Sequence, residues 1–190
     1  MARTAVLSLC LLGAMRAFAA DIVQDGTFEA GGGAWSTSGA GSVVNLPGGC
    51  IAGSNFCGQY GPAPLGNIHQ FVPTVVGATY TVSFWLRNNS LSTAGPDNAF
   101  HFQWGNLIPI STEVIDSGGF NWTFFSTDVV ADSASMWVSF QGYNNTGTFL
   151  LDNITVDGAD GNVPEPSTWM MASAGIAVLL AAYGRRRSAV

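Results

Sequence analysis

The feature that most constrains the fold is a hydrophobic period of two. Apolar residues alternate with polar or amphipathic residues at 80–87, 100–104 and 136–141. This alternation is typical of β-strands that bury one face. Turn residues separate further strands, and no stretch of helical period precedes the last quarter of the chain. The pattern predicts an all-β domain, a β-sandwich of the jelly-roll type. The further strands are predicted at 22–29, 34–45, 67–72, 107–114, 121–130 and 148–157.

The last quarter of the chain has a different, three-part pattern. Residues Val163, Pro164, Glu165 and Pro166 precede an uncharged apolar run at 167–184, and Arg185, Arg186 and Arg187 follow it. Eighteen helical residues extend about 27 Å, which crosses a hydrocarbon core of about 30 Å if the arginines snorkel. A buried core helix fits poorly, because the run is apolar on all faces. The pattern predicts a transmembrane helix with cytoplasmic arginines and the preceding chain across the membrane.

This tail resembles the PEP-CTERM protein-sorting signal of Gram-negative bacteria. The resemblance covers about residues 162–187 and rests on Pro-Glu-Pro, the apolar run and the arginine cluster. It implies that a membrane-embedded sorting peptidase, an exosortase, recognises the tail and processes it near the Pro-Glu-Pro. The anchor in the inner membrane would then be transient.

The N-terminus has the features of a secretory signal peptide. Arg3 precedes an apolar stretch at 5–15, and Ala17-Phe18-Ala19 supplies a small-x-small cleavage pattern. We therefore predict a signal peptide at 1–19. Together with the tail at 163–187, it leaves residues 20–162 as one extracytoplasmic domain.

The predicted domain is strongly acidic. Arg87 is its only cation, lysine is absent from the whole chain, and eleven acids give residues 20–162 a net charge near minus ten. Such a surface does not neutralise phosphates, which excludes a nucleic-acid partner. Most of these acids are interpreted as solvated surface charges.

Two cysteines remain after removal of the leader. Cys50 and Cys57 lie in a glycine-rich stretch, and an exported protein meets an oxidising environment. We predict that they form a disulfide. A zinc site would need more ligands than this pair provides, and no motif ties either histidine to a catalytic thiol.

The domain also resembles the jelly rolls of CenC-like carbohydrate-binding modules. The resemblance rests on Asp25-Gly26-Thr27-Phe28-Glu29 with Trp35, on residues 77–85, and on residues 149–156, which read Phe-Leu-Leu-Asp-Asn-Ile-Thr-Val. It implies a galactose-binding-like sandwich in which the first and last strands lie near each other.

Three acids are candidates for a structural calcium site. If the terminal strands are neighbours, Asp25, Glu29 and Asp152 converge, and carboxylate oxygens suit Ca²⁺. Alternation breaks at Asp152-Asn153, which predicts a β-bulge that re-aims Asp152. The alternative is that Asp25 starts a turn and Glu29 ends a strand in solvent.

A second candidate site is a surface for sugars. With the phenylalanines of three strands in the core, the opposite face presents aromatic rings and planar hydrogen-bonding groups, which suit the apolar and hydroxyl faces of sugars. The alternative is that its tryptophans pack against a second sheet or loops. The candidates are Trp85, Arg87, His101, Gln103, Trp137 and Gln141.

Catalysis is not indicated. Glu113 and Asp116 are the closest acidic pair in the middle of the chain, but they lie at a predicted strand end and turn, and no nucleophile elbow or Ser-His-Asp arrangement is present. The sequence predicts an exported, non-catalytic protein that associates with extracellular polysaccharide at the cell surface or in the extracellular matrix. A purely structural surface protein without a glycan site is the alternative.

Overall fold

The computed structural model describes residues 21–91, 98–105, 113–115 and 118–158, with the backbone alone for 113–115. The predicted signal peptide at 1–19 and the sorting signal at 163–187 lie outside these residues, as does the apolar run at 167–184. The part of the chain that the structure describes contains no helix that could cross a membrane.

Within the described residues, ten strands form two five-stranded antiparallel sheets that pack as a sandwich. Sheet I has the order β1 (Ser36–Ser38), β4 (Gly66–Pro73), β9 (Ser135–Asn144), β6 (Asn98–Trp104) and β7 (Glu113–Ile115). Sheet II has the order β2 (Gly41–Asn45), β3 (Phe56–Tyr60), β10 (Phe149–Gly158), β5 (Thr79–Asn88) and β8 (Phe120–Val130). The all-β prediction is confirmed.

The core lies between the sheets and is rich in aromatic rings. Phe84 of β5 contacts Phe140 of β9 edge-on, with ring centroids 5.0 Å apart. The hydroxyl of buried Tyr60 on β3 donates a hydrogen bond of 2.9 Å to the carbonyl oxygen of Phe140. Near the ends of β5 and β9, the amide of buried Asn144 donates to Oδ1 of buried Asn88 at 2.8 Å. Apolar and polar contacts therefore both join the sheets.

The N-terminal segment lies along β10, as the resemblance implied. Asp21 and Asp157 form an isolated bridge, and the Ile154 N–H donates to the carbonyl oxygen of Gly26 at 2.9 Å. The strand predicted at 22–29 is wrong, because Asp25 and Phe28 adopt the left-handed φ values of 54° and 59°. Tertiary contact with β10 thus replaces regular pairing in this segment.

One predicted strand is two strands in different sheets. The stretch at 34–45 divides into β1 and β2, and the chain passes from sheet I to sheet II at a turn where Gly39 has a φ of 59°. The alternation-based analysis also missed β3, whose short sequence contains Cys57 and Gly58. The bulge prediction is confirmed, since the pairing of β10 with β5 shifts register between Asp152 and Thr155, and Asn153 has a φ of 48°.

The predicted disulfide is present. Cys50 and Cys57 are bonded, with Cα atoms 5.6 Å apart, and both side chains are buried. They form a small apolar cluster with Leu150 of β10, against which Val44 and Trp122 pack. The loop between the cysteines is therefore held against the outer face of sheet II.

We expect the double substitution Cys50→Ala, Cys57→Ala to lower the free energy of unfolding by about 2.5 kcal/mol. The estimate follows from the chain entropy released when an eight-residue loop is no longer closed. Denaturant titration of the full-length protein measures the change, with the wild type under reducing conditions as the control. Equal stability of the oxidised, reduced and substituted proteins would contradict it.

Candidate functional site

The six residues predicted to form a sugar-binding surface do not share one face. Trp85 and Arg87 belong to β5 and project from the outer face of sheet II. The other four belong to β6 and β9 and project from the outer face of sheet I: His101, Gln103, Trp137 and Gln141. The prediction that these six residues form a single surface is therefore wrong. The phenylalanines that fill the core come from both sheets, so the residues that alternate with them face outward from two different sheets. We call the two surfaces the sheet I face and the sheet II face.

The sheet I face is completed by β4, which the sequence analysis predicted as a strand but did not include in the site. On β4, His69 is paired with Ser139 of β9, and Phe71 is paired with Trp137. On the other side of β9, Ser139 is paired with Gln103 of β6. The alternation of Asn67, His69 and Phe71 with inward residues was the available signal for these missed positions.

The centre of the sheet I face is an aromatic cluster. The ring of Trp137 lies 5.2 Å from that of Phe71 and 4.7 Å from that of His69, centroid to centroid. Phe71 is 62% exposed, and Trp137 and His69 are half-buried. Burial lowers the pKa of His69, so its imidazole is neutral at pH 7. The cluster presents uncharged rings to the solvent.

Two ring nitrogens of this cluster have no hydrogen-bond partner within the described part of the chain. They are Nε1 of Trp137 and Nδ1 of His69, and both atoms are covered by the protein. An unpaired buried polar group costs roughly 1–3 kcal/mol. A hydroxyl group that reached either nitrogen after a small movement of the rings would recover part of that energy.

Polar side chains beside the cluster are held in place by one another. Gln141 Nε2 donates to Gln103 Oε1 at 2.9 Å, and Gln103 Nε2 donates to the carbonyl oxygen of Gly105 at 3.2 Å. Ser139 Oγ donates to Asn67 Oδ1 at 2.9 Å. These bonds fix the orientation of amides that offer donors and acceptors to a ligand.

A pocket of about 90 Å³ opens beside the aromatic pair. Phe71 and Trp137 line it together with the exposed residues Asp132, Ser133 and Ser135. The sequence analysis treated Asp132 as an ordinary surface acid, because nothing in its local sequence places it next to β4. The pocket therefore combines two aromatic rings with a carboxylate and two hydroxyl groups.

The sheet II face is partly covered. Trp85 of β5 and Phe124 of β8 are paired across the sheet, and their rings lie 5.5 Å apart. Phe124 is 53% exposed, whereas Leu150 on the neighbouring β10 is buried beneath the disulfide loop. This face thus has an open part near β8 and a closed part near β3.

Asp152 is fully buried on β10 beneath the disulfide loop. Burial is the main cause that raises the pKa of Asp152 to about 6, and the Glu29 carboxylate adds to this rise. The hydrogen bond from the Asn153 N–H and polar contacts from Ser54 and Ile51 lower the same pKa. Its Oδ1 accepts from the Asn153 N–H at 2.8 Å, and its Oδ2 has no partner of good geometry among the described residues. Asp152 therefore gives up its proton less readily than an exposed aspartate.

The three acids predicted to bind calcium do not form one cluster. Both oxygens of Asp25 cap its own loop, accepting from the N–H groups of Ala30 and Gly32 at 3.0 and 3.1 Å. Glu29 is exposed and accepts from the Phe56 and Asn55 N–H groups, of which the Phe56 bond contributes most to lowering its pKa. Among the described residues, no group of three His, Cys, Asp or Glu side chains is placed to hold a metal ion. The described geometry does not bring the three carboxylates together, and the calcium site of Asp25, Glu29 and Asp152 stays a prediction.

Known proteins are similar to this chain in two separate regions, the C-terminal tail and the β-sandwich domain. The PEP-CTERM protein-sorting motif matches residues 162–187, which confirms the recognition made from the sequence. No curated protein matches the chain in sequence.

Solved structures show the fold of the described domain. TmCBM61, determined in complex with β-1,4-galactotriose, is similar with a TM-score of 0.58 and 16% identity, over 74% of this chain and 99% of that one. The CBM22-1 xylan-binding domain of Paenibacillus barcinonensis Xyn10C gives 0.52 and 13%, over 76% and 99%. The K1 cleaved adhesin domain of Lys-gingipain from Porphyromonas gingivalis gives 0.52 and 12%, over 67% and 92%. The domain has the β-sandwich fold of carbohydrate-binding modules.

We expect the stability contributed by Asp152 to fall as the pH rises from about 4 to about 6. In this window the folded state keeps a proton that the unfolded state has already lost, so ionisation favours unfolding. Asp152→Asn removes this dependence, and its stability relative to the wild type should be up to about 3 kcal/mol higher at pH 7 than at pH 4. Thermal or denaturant unfolding at several pH values measures it.

The matched control is Asp132→Asn, which changes an exposed acid. A wild-type stability that varies with pH in parallel with that of Asp152→Asn would contradict the prediction. The same series tests calcium: an ion held by Asp25, Glu29 and Asp152 would raise the melting temperature of the wild type at pH 7 but not that of Asp152→Asn.

Proposed function

We propose that this chain is an exported, non-catalytic protein that binds extracellular polysaccharide through its sheet I face. The observation that carries the proposal is the exposed Phe71–Trp137 pair at the edge of a pocket that Asp132, Ser133 and Ser135 also line. Flat rings hold the apolar faces of sugar rings, and a carboxylate and hydroxyl groups hold their hydroxyl edges.

The polar part of the face supports an extended ligand. Gln103, Gln141 and Asn67 lie across three neighbouring strands, beyond the aromatic cluster, and their amides are held by hydrogen bonds. A glycan stacked on Trp137 would meet these amides with its next sugar units. Preorganised side chains lose little entropy on binding, which favours affinity.

The comparisons agree with a binding role. Two of the similar structures are named for glycans, one solved with β-1,4-galactotriose and one called xylan-binding. These names support the ligand class for this chain without identifying the glycan. The absence of a catalytic function rests on the sequence analysis and on the nature of these modules.

The sorting motif supports the proposed route of the protein. A signal peptide at 1–19 would start export, the apolar run at 167–184 would hold the protein in the inner membrane, and an exosortase-type peptidase would process the tail. The product would reach the cell surface or an extracellular polysaccharide matrix. There a glycan-binding face would have its ligand close at hand.

A purely structural surface protein is the second candidate. It is favoured by one observation, the 62% exposure of Phe71, because an exposed aromatic ring can also mediate association between copies of the chain. The two candidates differ in what the same substitution changes, namely glycan affinity or oligomeric state.

We expect Phe71→Ala and Trp137→Ala each to weaken glycan binding by about tenfold or more, since loss of a stacking ring removes much of the binding energy of a hot spot. A glycan-array screen of the full-length protein identifies the glycan, and titration calorimetry measures the variants. The full-length protein includes the apolar run at 167–184 and is therefore kept in detergent. This detergent must lack a sugar headgroup, because a maltoside would compete with the glycan for the site.

The matched control is Phe124→Ala, which removes a similarly exposed ring from the sheet II face. It should leave binding of the same glycan within about twofold. If no glycan binds and Phe71→Ala instead lowers the sedimentation coefficient, the structural alternative holds and the glycan proposal fails.

We expect replacement of Arg185, Arg186 and Arg187 by glutamine to alter topology and processing of the tail, because positive charge holds the cytoplasmic end of the span. Cell fractionation with immunoblotting follows the size and location of the product. Asp160→Asn, a substitution just before the motif, is the control and should behave as the wild type. Unchanged fractions for the triple variant would argue against the sorting role of the arginines.

A further inference from the structure

A second pocket lies at one end of sheet II. It has a volume of about 270 Å³, near the lower end of the roughly 300–1,000 Å³ of typical ligand pockets. It lies where β5 ends and β8 begins, and none of its residues belongs to the sheet I face. The pocket is lined by Arg87, Asn88, Asn89, Gly119, Phe120 and Asn121.

The floor of this pocket is fixed by hydrogen bonds. Buried Asn88 accepts at Oδ1 from the Ser90 N–H and from Asn144 Nδ2, each at 2.8 Å, and donates from Nδ2 to the carbonyl oxygen of Gly118 at 3.2 Å. The next residue, Gly119, lies so close to β5 that an added Cβ would come within 2.7 Å of the Ser90 carbonyl oxygen. The wall formed by 118–119 is therefore held against the end of β5.

The charge of the pocket comes from Arg87. It is the only cation among residues 20–162, where eleven acids are present, and it is half-exposed. Within the described residues, no hydrogen bond or ion pair to its guanidinium group is found. A guanidinium group offers five N–H donors and no acceptor, in a planar arrangement that matches a carboxylate.

The remaining lining suits the body of a sugar. Phe120 is a half-buried aromatic ring that packs against the core, and its remaining exposed surface can contact the apolar face of a pyranose. Asn121 Oδ1 accepts from the Trp122 N–H at 2.9 Å, which orients that amide, and Asn89 Nδ2 makes only a long contact of 3.4 Å with Thr148 Oγ1. Amide groups at the rim can therefore bond to hydroxyl groups.

We propose that this pocket binds an acidic sugar residue, with the carboxylate of a hexuronate on the Arg87 guanidinium and its ring against Phe120. The site is separate from the sheet I face and does not depend on the function proposed for that face. Because the two sites share no residues, the domain can hold a neutral segment at one site and an acidic residue at the other.

The acidic surface of the domain limits the kind of ligand. A polyanion is repelled by a net charge near minus ten, but at about 0.15 M ionic strength charges more than about 8 Å apart are largely screened. The pocket therefore selects isolated acidic residues within an otherwise neutral glycan. Densely charged chains bind less well.

Titration calorimetry of the full-length protein, in a detergent without a sugar headgroup, tests the proposal with three probes: glucuronate, glucose and acetate. We expect glucuronate to bind more tightly than either of the others, and its affinity to fall as salt is added. Arg87→Gln should weaken glucuronate binding by about tenfold or more, and Arg87→Lys should retain part of it, because the charge remains while the bidentate geometry is lost.

The matched control is Val130→Ala, which changes an exposed residue at the other end of β8 and should leave glucuronate binding unchanged, while Trp137→Ala reports any binding to the sheet I face. Loss of glucuronate binding in Trp137→Ala but not in Arg87→Gln would overturn the second site while supporting the sheet I face. Equal affinity for acetate and glucuronate would overturn the recognition of a sugar.

Discussion

Phe84 of sheet II and Phe140 of sheet I meet in the middle of the sandwich, and the positions of the sheet I face and the sheet II face follow from this contact. Phe84 also stacks on Phe125 of the neighbouring strand, with ring centroids 5.4 Å apart. The carbonyl oxygen of Phe140 accepts a hydrogen bond from the buried Tyr60 hydroxyl. Because successive side chains in a strand point to opposite faces, burying these two rings forces Trp85 and Trp137 outward. A shift of one residue in either strand would place a tryptophan in the core and a phenylalanine in solvent.

Strong alternation made most of the sandwich predictable from the sequence. The strands around Phe84, Phe102 and Phe140 were predicted from their period of two, and so was the bulge at Asp152, where that period fails. The disulfide between Cys50 and Cys57 followed from the compartment and the even count. In each case the sequence signal is local. The alternation of a half-buried strand and the spacing of two cysteines in a short loop are both visible in neighbouring residues.

The assembly of the sites was not predictable in the same way. Trp85 and Trp137 were predicted to share one face, but strand order, which the sequence does not show, puts β5 and β9 in different sheets. Asp132 lines the same pocket as Phe71 and Trp137. It lies in a turn, and the sequence of that turn does not show that β4 is next to it. The calcium prediction assumed that Asp25 points towards Asp152, whereas Asp25 caps its own loop. These placements depend on contacts between distant parts of the chain, which a single sequence does not record.

The position of β10 gives the protein a mechanical property. β10 lies inside sheet II, bonded to β3 on one side and β5 on the other, and the chain continues from it towards the sorting motif. If a polysaccharide bound on the proposed sheet I face pulled against a C-terminal attachment, the load would enter the domain at the end of β10. β10 is bonded to β5 along most of its length and to β3 at Phe149–Leu151, so its extraction would break bonds on both sides, whereas an edge strand is held on one side only. The proposed C-terminal attachment would therefore act on an inner strand of the sheet rather than on an edge strand.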